Sequence, residues 1–144
     1  MRTHRALFAI LALLVGFHAS AASPASAPVK TVYHLSEGLE QATQALRYIR
    51  NHLAADPKAK IVVVAHASGV DFLLEGTEDK NKNPYNVAVE ELSMQGVEFR
   101  VCELTLQSRS IDKAKLLPEA KVVPSGVAEI ARLQAREGYA YIRP

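Results

Sequence analysis

The chain has 144 residues, with 17 lysines and arginines against 15 acids and a single cysteine. One cysteine cannot staple a fold with an internal disulfide, so an apolar core must hold it together. The basic excess lies entirely in the first 21 residues. The remainder carries 15 bases against 15 acids, which leaves no electrostatic footprint for nucleic acid and no basic stripe interleaved with aromatics.

The opening residues MRTHR contain two arginines and no acid, and an apolar run from Ala6 to Phe17 follows. Next comes the small-residue stretch HASAASPASA. Within it Ala19-Ser20-Ala21 fits a signal-peptidase site cutting before Ala22, and Ala25-Ser26-Ala27 is a later candidate. The apolar run is shorter than the roughly 20 residues a helix needs to span a bilayer. The expectation is a signal peptide over 1–21, a short linker over 22–28 and an exported, periplasmic protein with no stable membrane insertion after cleavage. The alternative is an uncleaved anchor or a buried N-terminal helix. About 123 residues then remain, which suits one domain burying about two-thirds of its unfolded surface.

From residue 29 the chain alternates between two periodicities. VKTVYHL (29–35) reads as a strand, and the segment after it places Leu39, Ala42, Leu46, Ile49 and Leu53 at helical spacing. Its Ser36 and Glu37 are expected to cap that helix. KIVVVAHA (60–67) is a near-continuous apolar run of the kind buried on both faces of a parallel sheet. The irregular SGVDFLLEG and the polar loop TEDKNKNP lead to a second helix, YNVAVEELSMQG, closed by Gly96. Strand VEFRVC (97–102), a polar connection with weak helical character, strand KVV (121–123), helix GVAEIARLQARE and strand YAYI (139–142) complete the series. Strands alternating with helices predict an α/β fold, a single three-layer α/β/α domain over 29–144 with a mainly parallel sheet of about five strands.

Ligands of open α/β sheets bind beyond the carboxyl ends of the strands. That edge receives His34 after the first strand, His66 after the second, Cys102 at the end of the third, and Ser125 with Gly126 after the fourth. Cys102 is the candidate nucleophile, because a thiolate is the reactive form of cysteine and a helix N-terminus or a cation favours it. If ELTLQSR begins a helical turn, its N–H groups face the sulfur, and Arg100 on the same strand face adds a cation. The competing reading is a small hydrophobe packed at a strand end. His34 and His66 divide in the same way between site residues and packed core residues. Together with Cys102 they have ligand types acceptable to zinc, yet no short ligand-pair spacing, so no metal is assigned. His52, inside the first helix, reads as a surface residue. No Gly-x-Ser-x-Gly elbow and no Gly-x-Gly-x-x-Gly turn occurs, which leaves a serine hydrolase and a dinucleotide site unsupported.

VYHLSEG, IVVVAHASGVDFLL, GVEFRVCELTL and VVPSGVAEIARLQAREGYAYIRP together resemble the DsrE/DsrF-like (DsrEFH-like, YchN-like) family of small α/β proteins tied to sulfur relay and sulfur oxidation. The resemblance covers residues 29–144. It implies that Cys102 accepts a sulfane sulfur as a persulfide, that copies assemble as trimers or hexamers, and that no cofactor is needed. The partners it implies are sulfur donors and acceptors, either proteins or small sulfane-sulfur compounds. On this reading His34 and His66 stabilise the anion or move a proton, while Ser125, Gly126 and Arg100 bind the anionic end of the donor. One departure is Leu104, where a polar residue, often asparagine, is expected two positions after the cysteine. The rival expectation is a non-catalytic oligomeric binding or assembly module with Cys102 merely packed.

Overall fold

A computed structural model describes residues 27–144, so the proposed leader and most of the linker lie outside the described residues. Five strands, β1 (Lys30–Leu35), β2 (Lys60–Ala65), β3 (Glu98–Cys102), β4 (Ala120–Val123) and β5 (Ala140–Ile142), form one sheet in the order β4-β3-β2-β1-β5. Every pairing is parallel. Four α-helices connect them: α1 (Gly38–Ala55), α2 (Tyr85–Met94), α3 (Glu103–Ser108) and α4 (Gly126–Glu137). The irregular stretch after β2 is a 3-10 segment, Ala67–Leu73. This is the three-layer α/β/α domain expected from the alternation of periods.

The layers are unequal, and side-chain alternation along the strands explains why. Tyr33 and Leu35 of β1, Ile61, Val63 and Ala65 of β2, and Phe99 and Val101 of β3 point to one face, where α1, the 3-10 segment and α2 bury them. Val32, Val62 and Val64 point to the other, covered by Ile130 and Leu133 of α4. Those two α4 residues fall three apart and one turn beyond Gly126, so they share one helix face. Full burial of each such side chain contributes about 1.5–3 kcal/mol. α4 therefore rests on a small apolar patch, reinforced by ions. Arg100 of β3 pairs with Glu129 of α4 and with Glu98, and Glu129 also accepts from Arg132.

Helix ends show where local chemistry obeys the sequence and where it departs from it. α2 ends in a Schellman arrangement: Gly96 takes φ 91°, its N–H donates to Ser93 O, and Val97 N–H donates to Leu92 O. Neither Ser36 nor Glu37 caps α1 with its side chain. The amide oxygen of Gln41 instead accepts from both their backbone N–H groups at 2.8 Å, and Glu37 pairs with Arg143. His52 is half-buried rather than on the surface, because its Nδ1 meets the Tyr33 hydroxyl at 3.1 Å.

The turn after β2 is the tightest approach in the fold. An ideal Cβ on Gly69 would lie 2.3 Å from Leu35 O and 2.7 Å from Ser36 N, both backbone atoms. Only glycine lets this turn pack on the end of β1. The same turn holds Ala67 at φ 49°, a left-handed conformation that a non-glycine residue adopts only when its surroundings enforce it. Thr105 Oγ1 accepts the Ala67 N–H at 3.0 Å, and Arg109, itself paired with Asp71, donates to Ala67 O at 2.9 Å.

Candidate functional site

The connections leaving β1, β2 and β3 pass over one face of the sheet, whereas the one leaving β4 crosses the other face as α4. Adjacent strands whose outgoing connections diverge open a crevice at their carboxyl ends. Here the outgoing connections diverge between β3 and β4, at Cys102 and at Ser125-Gly126. Cys102 is the last residue of β3 and the N-cap of α3, so the chain passes directly from strand to helix at the thiol. Ser125 is the N-cap of α4 and its hydroxyl accepts from Ala128 N–H.

The two helix starts converge on one sulfur. Burial, with Cys102 only 5% exposed, works against its ionised form. That effect is outweighed by donors that favour the thiolate: the Gly126 N–H from α4, the Thr105 hydroxyl, and the Thr105 and Leu104 N–H groups from α3. The thiol is thereby lowered from its ordinary value of 9.0. The Thr105 hydroxyl oxygen accepts from Ala67 N–H, so its own proton is not used in that bond. Gly126 is the contact that closes the cradle. A Cβ there would lie 3.2 Å from Cys102 Cβ and 3.2 Å from His66 Cβ, so glycine allows the α4 backbone to reach the sulfur.

His34 and His66 meet each other beside this cradle. Their Nε2 atoms are 2.6 Å apart, and His34 Nδ1 lies 2.6 Å from the Tyr141 hydroxyl of β5. Both imidazoles are lowered below their ordinary 6.5, first by burial. For His34 the neighbouring His66 and Arg143 follow, with Glu37 opposing them, and for His66 Arg143 follows. Tyr141, Thr105 and Arg143 carry no motif, and only the register of β5 beside β1 and the turn of α3 bring them here.

Among the residues proposed from the sequence, His34, His66, Cys102, Ser125 and Gly126 occupy one edge of the sheet. Arg100 is on the same strand face as Cys102, but its guanidinium is committed to Glu129 and Glu98, so the pull on the thiol comes from N–H and O–H donors. Leu104 contributes its backbone N–H, while its side chain stands 58% exposed. No group of three or more metal-ligating side chains is found among the described residues. A groove of about 640 Å³ between α1 and the 77–84 loop, lined by Leu39, Thr43, Arg47, Asp79 and Tyr85, holds neither the cysteine nor the histidine pair.

Comparison with known proteins fits this geometry. No curated protein matches the chain. The solved structure of MTH1491 from Methanobacterium thermoautotrophicum, a protein of unknown function, is 38% identical with a TM-score of 0.73, covering 81% of this chain and 99% of that one. The crystal structure of YchN from E. coli shares the fold at 15% identity and a TM-score of 0.65, covering 83% of this chain and all of that one. The profile of the DsrE/DsrF-like family matches residues 29–144. With its strand-end cysteine held between two helix starts on that fold, the chain belongs to the DsrE/DsrF-like family.

Proposed function

We propose that this protein is a periplasmic sulfur-relay protein that carries sulfane sulfur on Cys102. The observation that carries the reading is the cradle at the sulfur. A nearly buried thiol would ordinarily be less acidic, and this one is more so, because the donors of α3, α4 and Thr105 favour its anion. A lowered thiol is both the better-populated nucleophile and the better leaving group, and a carrier needs each in turn.

In loading, the Cys102 thiolate attacks the outer sulfur of a donor persulfide or polysulfide. A Sγ–S bond forms, the donor S–S bond breaks, and its electron pair leaves with the donor thiolate. Unloading is the reverse exchange with an acceptor thiol, so neither step needs an oxidant or a cofactor. Ser125 and Gly126 at the start of α4 favour the anionic end of the donor. Association of copies as a trimer or hexamer is part of the reading, supported by the apolar side chains of Leu104 and Val127, 58% and 63% exposed beside the cysteine.

The test is intact-mass spectrometry of the protein purified without reductant and treated with polysulfide, with Cys102→Ser as control. Added sulfur that is lost on reduction and never appears in the serine variant is the expected result. The near-complete burial of Cys102 favours a second reading, an assembly module with the cysteine packed. A thiol that reacts only after denaturation would establish that reading instead.

A further inference from the structure

The histidine pair has a geometry with few chemical solutions. Ring centroids 4.8 Å apart leave only 2.6 Å between the two Nε2 atoms when the rings meet tip to tip. The centroid separation exceeds the Nε2–Nε2 gap by nearly the full reach of both rings, so each Nε2 is directed at the other. Two lone pairs cannot face each other at this distance, so either a metal ion or a hydrogen must sit between them. A metal needs about 2.0–2.1 Å to each imidazole nitrogen, and the gap is too short for two such bonds in line. A single hydrogen suits it, carried by one ring and accepted by the other.

The geometry points to His34, His66 and Tyr141 as a proton relay that serves Cys102, with His66 the base that takes the proton of an incoming acceptor thiol. This rests on the sulfur-carrier reading above and assigns the step that reading leaves open. An attacking thiol must lose its proton, whereas the departing Cys102 thiolate is already held by the cradle and needs none. In the step, the acceptor sulfur bonds to the outer sulfur of the Cys102 persulfide. The Sγ–S bond breaks with its electron pair on Sγ, and the acceptor proton passes to the pair. A neutral thiol, a neutral persulfide and a neutral pair thus become a new persulfide, a Cys102 thiolate and a singly protonated pair, with atoms and charge conserved.

Two proton arrangements are open to the chain of hydrogen bonds. In one, His66 Nε2–H donates to His34 Nε2 and His34 Nδ1–H donates to the Tyr141 hydroxyl oxygen, leaving His66 Nδ1 able to accept. In the other, the Tyr141 O–H donates to His34 Nδ1 and His34 Nε2–H donates to His66 Nε2, so that His66 carries its proton on Nδ1. Among the described residues His66 Nδ1 has no hydrogen-bond partner, and Tyr141 at the far end is 43% exposed. A proton taken up at His66 therefore has a route to water that does not pass the sulfur. His66 approaches the cysteine through Gly126, whose missing Cβ would touch the Cβ of both.

The charges around the pair oppose one another. Arg143, held by Glu37, lowers both rings from the C-terminal side of β5, Glu37 raises His34, and at Gly126 of α4 no side chain stands between the Cβ atoms of His66 and Cys102. With one cation already nearby, the pair takes one proton and resists a second.

The experiment compares sulfur transfer from the persulfidated protein to two small acceptors: an alkyl thiol that is protonated at neutral pH and an aryl thiol that is already ionised. His66→Gln keeps an amide to hydrogen-bond His34 but cannot take a proton. It is expected to slow transfer to the alkyl thiol by about a hundredfold, within the range of general base catalysis, and to leave the aryl thiol unaffected. His34→Gln and Tyr141→Phe give smaller losses, again with the alkyl thiol alone. Equal losses with both acceptors, or no loss with either, overturn the relay while leaving the carrier intact. Failure of the wild-type protein to form a persulfide at all overturns the carrier reading and the relay with it.

Discussion

Replacing Thr105 by valine keeps the branched shape of the side chain and removes its hydroxyl, which tests the cradle at its least redundant point. The hydroxyl accepts the Ala67 N–H and is among the donors that favour the Cys102 thiolate. A hydrogen bond to a charged group is worth about 1.5–3 kcal/mol, and about 1.4 kcal/mol corresponds to one pH unit. The three backbone N–H donors that remain will recover part of that loss. The midpoint of Cys102 alkylation by a neutral haloacetamide should therefore rise by about one pH unit. The orphaned Ala67 N–H belongs to an exposed residue that water can reach, so the accompanying loss of stability stays near the low end of the roughly 1–3 kcal/mol range for an unsatisfied group. Thr105→Ser retains the hydroxyl and should keep the wild-type midpoint. An unchanged midpoint in the valine variant would refute the view that side-chain and backbone donors set the acidity of this thiol.

Gly69→Ala should cost roughly 3 kcal/mol, because its Cβ meets backbone atoms of Leu35 and Ser36 that have no rotamer to escape into; a denaturant midpoint close to wild type would contradict the close approach of this turn. Glu129→Gln should cost about 2 kcal/mol, since it weakens the pairing of a largely buried Arg100, 15% exposed, and loosens α4. Glu129 is held below its ordinary 4.5 by Arg132 and Arg100 against burial, so its contribution is complete above pH 4.5 and fades as pH falls through the folded value. Wild type should thus lose more stability than the glutamine variant between neutral and acid pH. The histidine pair has the same sign. Both rings are lowered below 6.5, so the unfolded chain binds more protons and stability falls as pH drops below that value. Chemical denaturation across pH 5–7 should show this slope in wild type, and His34→Gln/His66→Gln should flatten it.

Most of the architecture was legible in the order of periods. Continuous apolar strands such as Ile61–Ala65, helices with one apolar stripe, and a glycine at the end of α2 are local signals that tertiary packing had no reason to override. The candidate site was legible in part. A parallel sheet sends every strand end to one edge, so His34, His66, Cys102 and the Ser125-Gly126 turn could be placed there before their neighbours were known. Which of them touch was not available, because strand order is not written in periodicity. Arg100 shows the limit: its position beside Cys102 suggested a cation for the thiol, and Glu129, 29 residues further on, takes that charge instead.

The sequence by itself determined the class of fold, the sheet edge where the candidate residues gather and the lone cysteine among them, since each of these follows from local residue pattern. Only the tertiary structure decided that α4 returns across the opposite face of the sheet. That one crossing brings the start of α4 to the end of β3, sets the Gly126 N–H among the donors of Cys102, and sends β5 to the far side of β1 so that Tyr141 reaches His34. The reason is geometric: the acidity of a thiol and the sharing of a proton depend on donors a few ångströms away, and those donors come from segments that are distant along the chain.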